Sequence, residues 1–256
     1  MLSPDLFASR VVLWVALAAL IGLLVLRAVR KERKEYQRFK RFERTKNRQA
    51  MMRKWLLDSL ATFGVATIVI LLLTWQYVPR LLEAVRSWPV AGWFRSVLHD
   101  TGALVPGIAV ASAIALVAGT ILAVYLVRTA ENVPTIGDIG ALLPRNRREL
   151  IYAAALSVNA GVVEELLFRL AVPALLFGAF GNAPVAVAVS VLLFGALHLY
   201  QGLPGIIGAA LIGSLLMGLY LATGTILVPI IAHALIDLRS LVLIPMLVYR
   251  VHTKAS

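Results

Sequence analysis

Two adjacent glutamates, Glu164 and Glu165, and an arginine, Arg169, lie inside about thirty residues that otherwise read as one membrane-crossing helix. A charge at that depth costs from ~3 to more than ~10 kcal/mol. Such groups persist where they are paired or carry out chemistry. Two further pairs follow on later apolar segments, Phe194 with His198 and His233 with Asp237. Carboxylates and imidazoles gathered in one site suit two hydrolytic chemistries. In one, a carboxylate takes a proton from water while imidazoles orient it and stabilise the oxyanion. In the other, histidines and a carboxylate hold zinc, which acidifies its bound water. No His-Glu-x-x-His pair, no Gly-x-Ser-x-Gly elbow and no cysteine is present.

Spacing divides the labour. Residues four apart on a helix share a face, so Glu165 and Arg169 are expected to neutralise each other and support the architecture. Glu164 is turned about 100° away, over Ala160 and Gly161, and is the carboxylate free to face a cavity. The plainer reading has both glutamates simply pairing with Arg169. His198 ends its helix one turn after Phe194, and Gly195 leaves room beside the ring. Read alone, it is equally an interfacial histidine at a helix end. His233 and Asp237 share a face, which lets the carboxylate fix the imidazole tautomer. Glu164, His198, His233 and Asp237 are the candidate catalytic set, and the same four are the candidate metal ligands. Glu165, Arg169 and Phe194 are their support. His99 and His252 receive no role.

The elements that must position these groups are helices in a membrane. The chain has 256 residues, 60% of them hydrophobic, and a mean hydropathy of +0.86. Several apolar runs reach about eighteen residues, enough to cross ~30 Å of hydrocarbon. Three spans fall at about 11–26, 55–77 and 103–127, in a scaffold of residues 1–149. An external loop, 79–102, carries Trp88 and Trp93, and an internal loop covers 128–149. The core, 150–256, holds closely spaced apolar segments at about 150–177, 184–200, 205–222 and 225–249. The last is expected to break near Asp237 and Arg239. The fold class is all-α, a polytopic membrane protein with seven or eight transmembrane helices in the cell (inner) membrane.

The net charge of +12 is concentrated. Residues 27–54 hold thirteen Lys/Arg and three Glu. Their place between two spans fits a positive cytoplasmic loop and argues against nucleic acid as a partner. The segment lacks Gly and Pro and reads as a helix linking two spans. Its Tyr36, Phe39 and Phe42 form a narrow stripe that can alternatively lie on anionic lipid. Asp58 is expected in the first turn of the second span, where it suits the helix N-terminus.

Glu164, Glu165 and Arg169, then Phe194 and His198, then His233 and Asp237, in that order and about 34 residues apart, resemble the CPBP intramembrane proteases. These comprise the type II CAAX prenyl endopeptidases and the bacteriocin-processing or self-immunity proteins. The resemblance covers about residues 150–240. It implies a helical membrane core with a site open toward the cytoplasmic half. Glu164 and His198 would activate water, and His233 and Asp237 would stabilise the oxyanion or complete the site. Two positions depart from the pattern. Leu170 stands where the family often has Gly, and Asp237 stands where the prenyl endopeptidases carry Asn. An amide donates to an oxyanion and an ionised carboxylate does not, so Asp237 must be protonated, orient His233 or bind a metal. The implied activity is hydrolysis of a peptide or membrane-protein substrate, with zinc or without metal. The rival classes are a proton-coupled transporter or channel using the Glu/His cluster as a relay, and a non-catalytic immunity-type protein.

Overall fold

The computed structural model describes residues 7–89 and 137–253, together with Gly92, Ser96, Ala118, Gly119, Ile121, Leu122 and Tyr125. The expected third span, 103–127, lies almost wholly outside the described residues, as do Trp93 and His99. The described residues are helical throughout their ordered elements. Helix α1 (Phe7–Arg30) widens into a π-helical stretch, Lys31–Tyr36, and ends as α2 (Gln37–Lys40). Helix α3 (Thr45–Ser59) passes through a second π segment, Leu60–Gly64, into α4 (Val65–Thr74), and α5 (Tyr77–Arg86) follows. The core begins with α6 (Arg147–Glu165), whose π-helical continuation Leu166–Ala171 leads to α7 (Val172–Phe180). Then come α8 (Ala183–Ala196), α9 (Gly202–Thr223), α10 (Leu227–Leu238), a π segment at Arg239–Leu243, and α11 (Ile244–Tyr249).

Among the described residues, four helices are long and apolar enough to cross a membrane by length and composition: Ser9–Lys40, Thr45–Thr74, Leu199–Thr223 and Leu227–Val248. Ala183–Ala196 is apolar but shorter. The helix through Glu164 carries three charges in its apolar half, Glu164, Glu165 and Arg169. Large apolar side chains such as Leu72, Leu26 and Leu211 are outward-facing and exposed, as lipid contact requires.

The basic segment is not one linking helix. It folds back at residues 41–44, where Arg41 N–H bonds Arg38 O and Phe42 N–H bonds Phe39 O. Without Gly or Pro, nothing local marks this turn; ion pairs across the hairpin hold it. Glu35 Oε1 lies 3.1 Å from Arg30 Nε and accepts from Lys54 Nζ at 2.7 Å, and its Oε2 accepts from Trp55 Nε1 at 2.7 Å. Arg27 Nη1 donates to Asp58 Oδ2 at 3.3 Å. Asp58 therefore serves cations in mid-helix, Lys54 among them, rather than a helix N-terminus. The stripe faces inward: Tyr36 and Phe39 are fully buried with Met52, Trp55 and Tyr200, so neither lies on lipid. The ring centroids of Tyr36 and Tyr200 lie 5.2 Å apart and those of Phe39 and Trp55 4.8 Å apart, each such contact worth ~1 kcal/mol beyond area.

The N-terminal helices pack directly on the core. Helix α3 lies along α6 and α1 against α7, and one apolar cluster runs from Leu13 through Phe168 to Tyr220. A fully buried ion pair locks the join: Arg48 Nε donates to Glu149 Oε1 and Oε2 at 3.1 Å. Arg48 Nη2 also donates to the carbonyls of Ala141 and Leu143. Asn146 caps α6 by accepting from the N–H groups of Arg148 and Glu149, which meets two of the donors a helix start leaves open. The last segment does not break near Asp237. Leu227–Val248 stays helical, with its register shifted by the π segment that starts at Arg239.

Candidate active site

Two helices carry most of the site, and their approach depends on a missing side chain. A Cβ on Gly161 would fall 2.8 Å from both Cβ and backbone N of Ala234. Glycine here lets α6 and α10 nearly touch, which sets Glu164 and Glu165 beside His233 and Asp237. Gly213 plays the same part on α9, since a Cβ there would stand 2.7 Å from Phe194 Cδ1. Gly195 makes room for α9, since a Cβ there would stand 3.0 Å from Ala210 Cβ and 3.2 Å from Ile206 O.

The two adjacent glutamates make different contacts. Glu165 and Arg169 are both fully buried. Arg169 Nη2 donates to Glu165 Oε1 at 3.2 Å, while Nε sits 2.9 Å from Oε2 in ionic contact but off the line of a hydrogen bond. The Arg169 guanidinium also lies 4.8 Å from the centre of the Phe194 ring, a favourable cation–π placement. Glu164 has no hydrogen-bond or ion-pair partner among the described residues. It is half-buried and lines a cavity of about 590 Å³ together with Asn159, His198, His233 and Asp237.

Each imidazole is held by its Nδ1. His198 Nδ1 lies 3.0 Å from Phe194 O. A carbonyl only accepts, so Nδ1 carries the proton and Nε2 is left with its lone pair. His233 Nδ1 lies 2.8 Å from Glu165 Oε1. The carboxylate that orients His233 is therefore Glu165, on another helix. Asp237, the expected tautomer-setting partner, stands 3.8 Å from Nε2, beyond a direct hydrogen bond. Phe194 spaces the two rings, with centroids 5.1 Å from His198 and 6.0 Å from His233. Phe168 and Gly213 hold it from behind, and Ser190 ties α8 to the π segment by donating to Phe168 O at 2.6 Å.

Hydrogen-bonded Nδ1 atoms are what metal-ligating histidines show. A ligand set needs more, and among the described residues no three His, Asp or Glu side chains gather in a way that could hold a metal ion. The four candidate ligands line one cavity.

Sequence spacing missed the contribution of the first two helices. Arg27, Lys31, Trp55 and Ser59 line the same cavity, and Ser59 Oγ accepts from Asn159 Nδ2 at 2.9 Å. Lys31 Nζ lies 4.0 Å from the Tyr200 ring centre and 6.0 Å from that of Trp55. In the sequence, Arg27 and Lys31 belong to a basic run that reads as a cytoplasmic loop, and Trp55 and Ser59 to the start of an apolar span.

Comparison with curated proteins and with solved structures returns no match. The family model of the type II CAAX prenyl endopeptidases, Rce1-like, matches residues 146–239. That segment starts at the Asn146 cap and holds every member of the Glu/His cluster. The match over residues 146–239 of this multi-pass membrane protein supports an intramembrane protease of the CPBP family.

Proposed function

We propose that the chain hydrolyses peptide bonds of membrane-associated substrates with water activated by Glu164 and His198. The observation that carries this reading is the state of Glu164. It is a carboxylate without a partner among the described residues, on the wall of a cavity it shares with an imidazole presenting a bare Nε2. Glu164 takes one proton from a water that His198 Nε2 orients. The resulting hydroxide adds to the scissile carbonyl. His233, fixed through Nδ1 by Glu165, turns its Nε2 edge toward the cavity and donates to the oxyanion when that nitrogen is protonated. Collapse of the intermediate breaks the C–N bond, and Glu164 returns its proton to the leaving amine. Asp237 completes the His233 side of the site. No step requires a bound metal.

The substrate class is a peptide or membrane-protein segment entering from the bilayer of the cell membrane. The basic surface of residues 27–54 supports contact with anionic lipid through its exposed cations, the aromatic stripe being buried. Cleavage of a peptide library by the purified chain tests the reading. Glu164→Gln and His198→Ala should each abolish cleavage while the protein stays folded. Full activity in Glu164→Gln would rule the assignment out, and pH-dependent ion flux without proteolysis would point to a relay.

A further inference from the structure

His198 sits where its helix ends. Its backbone stands at φ −91° and ψ 16°, in the sparsely allowed strip between the helical and extended regions where many active-site residues are found. Its own helix supplies Phe194, one turn earlier. The Phe194 carbonyl takes the Nδ1 proton, and the Phe194 ring lies 5.1 Å from the imidazole at 51°. A single hydrogen bond fixes the direction of Nδ1 but lets the ring turn about that bond.

A 3-10 turn, Leu199–Gln201, follows His198, closed by Gln201 N–H to His198 O at 2.9 Å. The turn folds Tyr200 back onto the imidazole. The two rings stack at 27° with centroids 6.1 Å apart, within the range of an offset aromatic pair. Tyr200 is itself buried and held. Its hydroxyl accepts from Gln201 Nε2 at 2.8 Å, Lys31 Nζ lies 4.0 Å from its ring centre, and the fully buried Tyr36 meets it edge-on at 5.2 Å. The turn is clamped as well. Asp138 N–H donates to Gln201 O at 2.9 Å. Gly137, at φ +79°, packs so close that a Cβ there would stand 2.8 Å from the same oxygen. Tyr36 Oη donates to the Asp138 carbonyl, so one residue of the first helix braces both the ring and the clamp.

We propose that Tyr200 is the positioning residue of His198. Its ring, braced by Tyr36, holds the imidazole so that Nε2 faces the water in the cavity. Tyr200 transfers no proton; it acts only through His198. The role rests on the endopeptidase reading and deepens it. Tyr36, Gly137 and Asp138 lie outside the segment that matches the family model, so the N-terminal part of the chain bears on a residue of the Glu/His cluster through Tyr200.

The test uses the full chain in nanodiscs with isotope-labelled imidazoles, of which the chain has four, observed by nitrogen NMR. The His198 signals are identified by their loss in His198→Gln. In the parent, above neutral pH, His198 should show one tautomer with its proton on Nδ1, and its ring should correlate through space with that of Tyr200. That measurement needs no variant at Tyr200, and a missing correlation overturns the role. Tyr200→Phe keeps the ring and should keep the His198 signal. Tyr200→Leu and Tyr200→Met remove the ring and should leave a broadened signal or a mixture of tautomers. In peptide cleavage the two variants without the ring should lose roughly tenfold in kcat with KM unchanged, the scale on which misplaced catalytic groups act. An unchanged His198 signal in both of them overturns the role. So does a raised KM with unchanged kcat, which would make the ring a wall of the peptide site, or a Tyr200→Phe as impaired as Tyr200→Leu. A His198 signal that responds as expected, in a parent protein that cleaves no peptide, would keep Tyr200 as the support of His198 and remove the endopeptidase reading.

Discussion

Glu165 reaches across from α6 to hold His233 on α10, with Oε1 2.8 Å from Nδ1, while its other oxygen contacts Arg169 at 2.9 Å. One buried carboxylate thus joins an imidazole of the site to the charge that neutralises it. Its neighbour Glu164 is left without such ties among the described residues. The two glutamates should fail differently when changed.

Glu164→Gln should leave thermal stability within about 1 kcal/mol of the parent, since it breaks no buried pair, and should abolish cleavage. Glu165→Gln should destabilise by roughly 3–5 kcal/mol, because Arg169 is then buried without its counter-charge. It should lower activity as well, through a loosened His233. Thermal unfolding in detergent, followed beside peptide cleavage, separates the two. Equal stability losses would show that the division is wrong.

Arg48 and Glu149 are the second buried pair, both fully enclosed. Truncating either alone should cost roughly 3–5 kcal/mol. Replacing both with methionine should recover much of it, which a double-mutant cycle reads directly. Additive losses would mean that the pair contributes nothing beyond its separate packing.

Gly161→Val should separate α6 from α10, because even a Cβ would stand 2.8 Å from the Ala234 backbone. Overpacking of this kind costs about 1–3 kcal/mol, but the larger expected effect is on cleavage, which should fall at least tenfold. Retained activity would show that the glutamates reach His233 without this close contact.

Asp237→Asn should keep cleavage within about tenfold of the parent. Glu165, not Asp237, sets the His233 orientation, and an amide can donate to an oxyanion. Asp237→Ala, which removes donor and charge partner together, should lose far more. Inactive Asp237→Asn protein would make the carboxylate itself essential.

Cleavage should survive a strong chelator, because the proposed mechanism uses only Glu164, His198 and His233. Loss of activity that returns on adding zinc would replace it with a metal-based one. Metal analysis of the purified protein checks the same point.

The sequence was most legible where interactions are local. The pairing of Glu165 with Arg169 follows from four-residue spacing, and the apolar helices follow from similarly short-range patterns. The hairpin at residues 41–44 was illegible because its turn contains no Gly or Pro. It forms because Glu35, Lys54, Trp55 and Asp58 satisfy one another across it. Asp58 shows the same limit: its composition suits a helix start, but its partners lie some thirty residues earlier and one turn away.

By itself the sequence determined that this is an all-helical membrane protein and that Glu164, Glu165, His198 and His233 are its costly polar groups. Hydropathy and helical period are properties of neighbours in the chain. Only the tertiary structure decided which carboxylate orients His233, that Gly195 serves helix packing, and that Lys31 from the first helix lines the cavity. These depend on contacts between helices far apart in sequence, set by which side chains are small enough to let them touch.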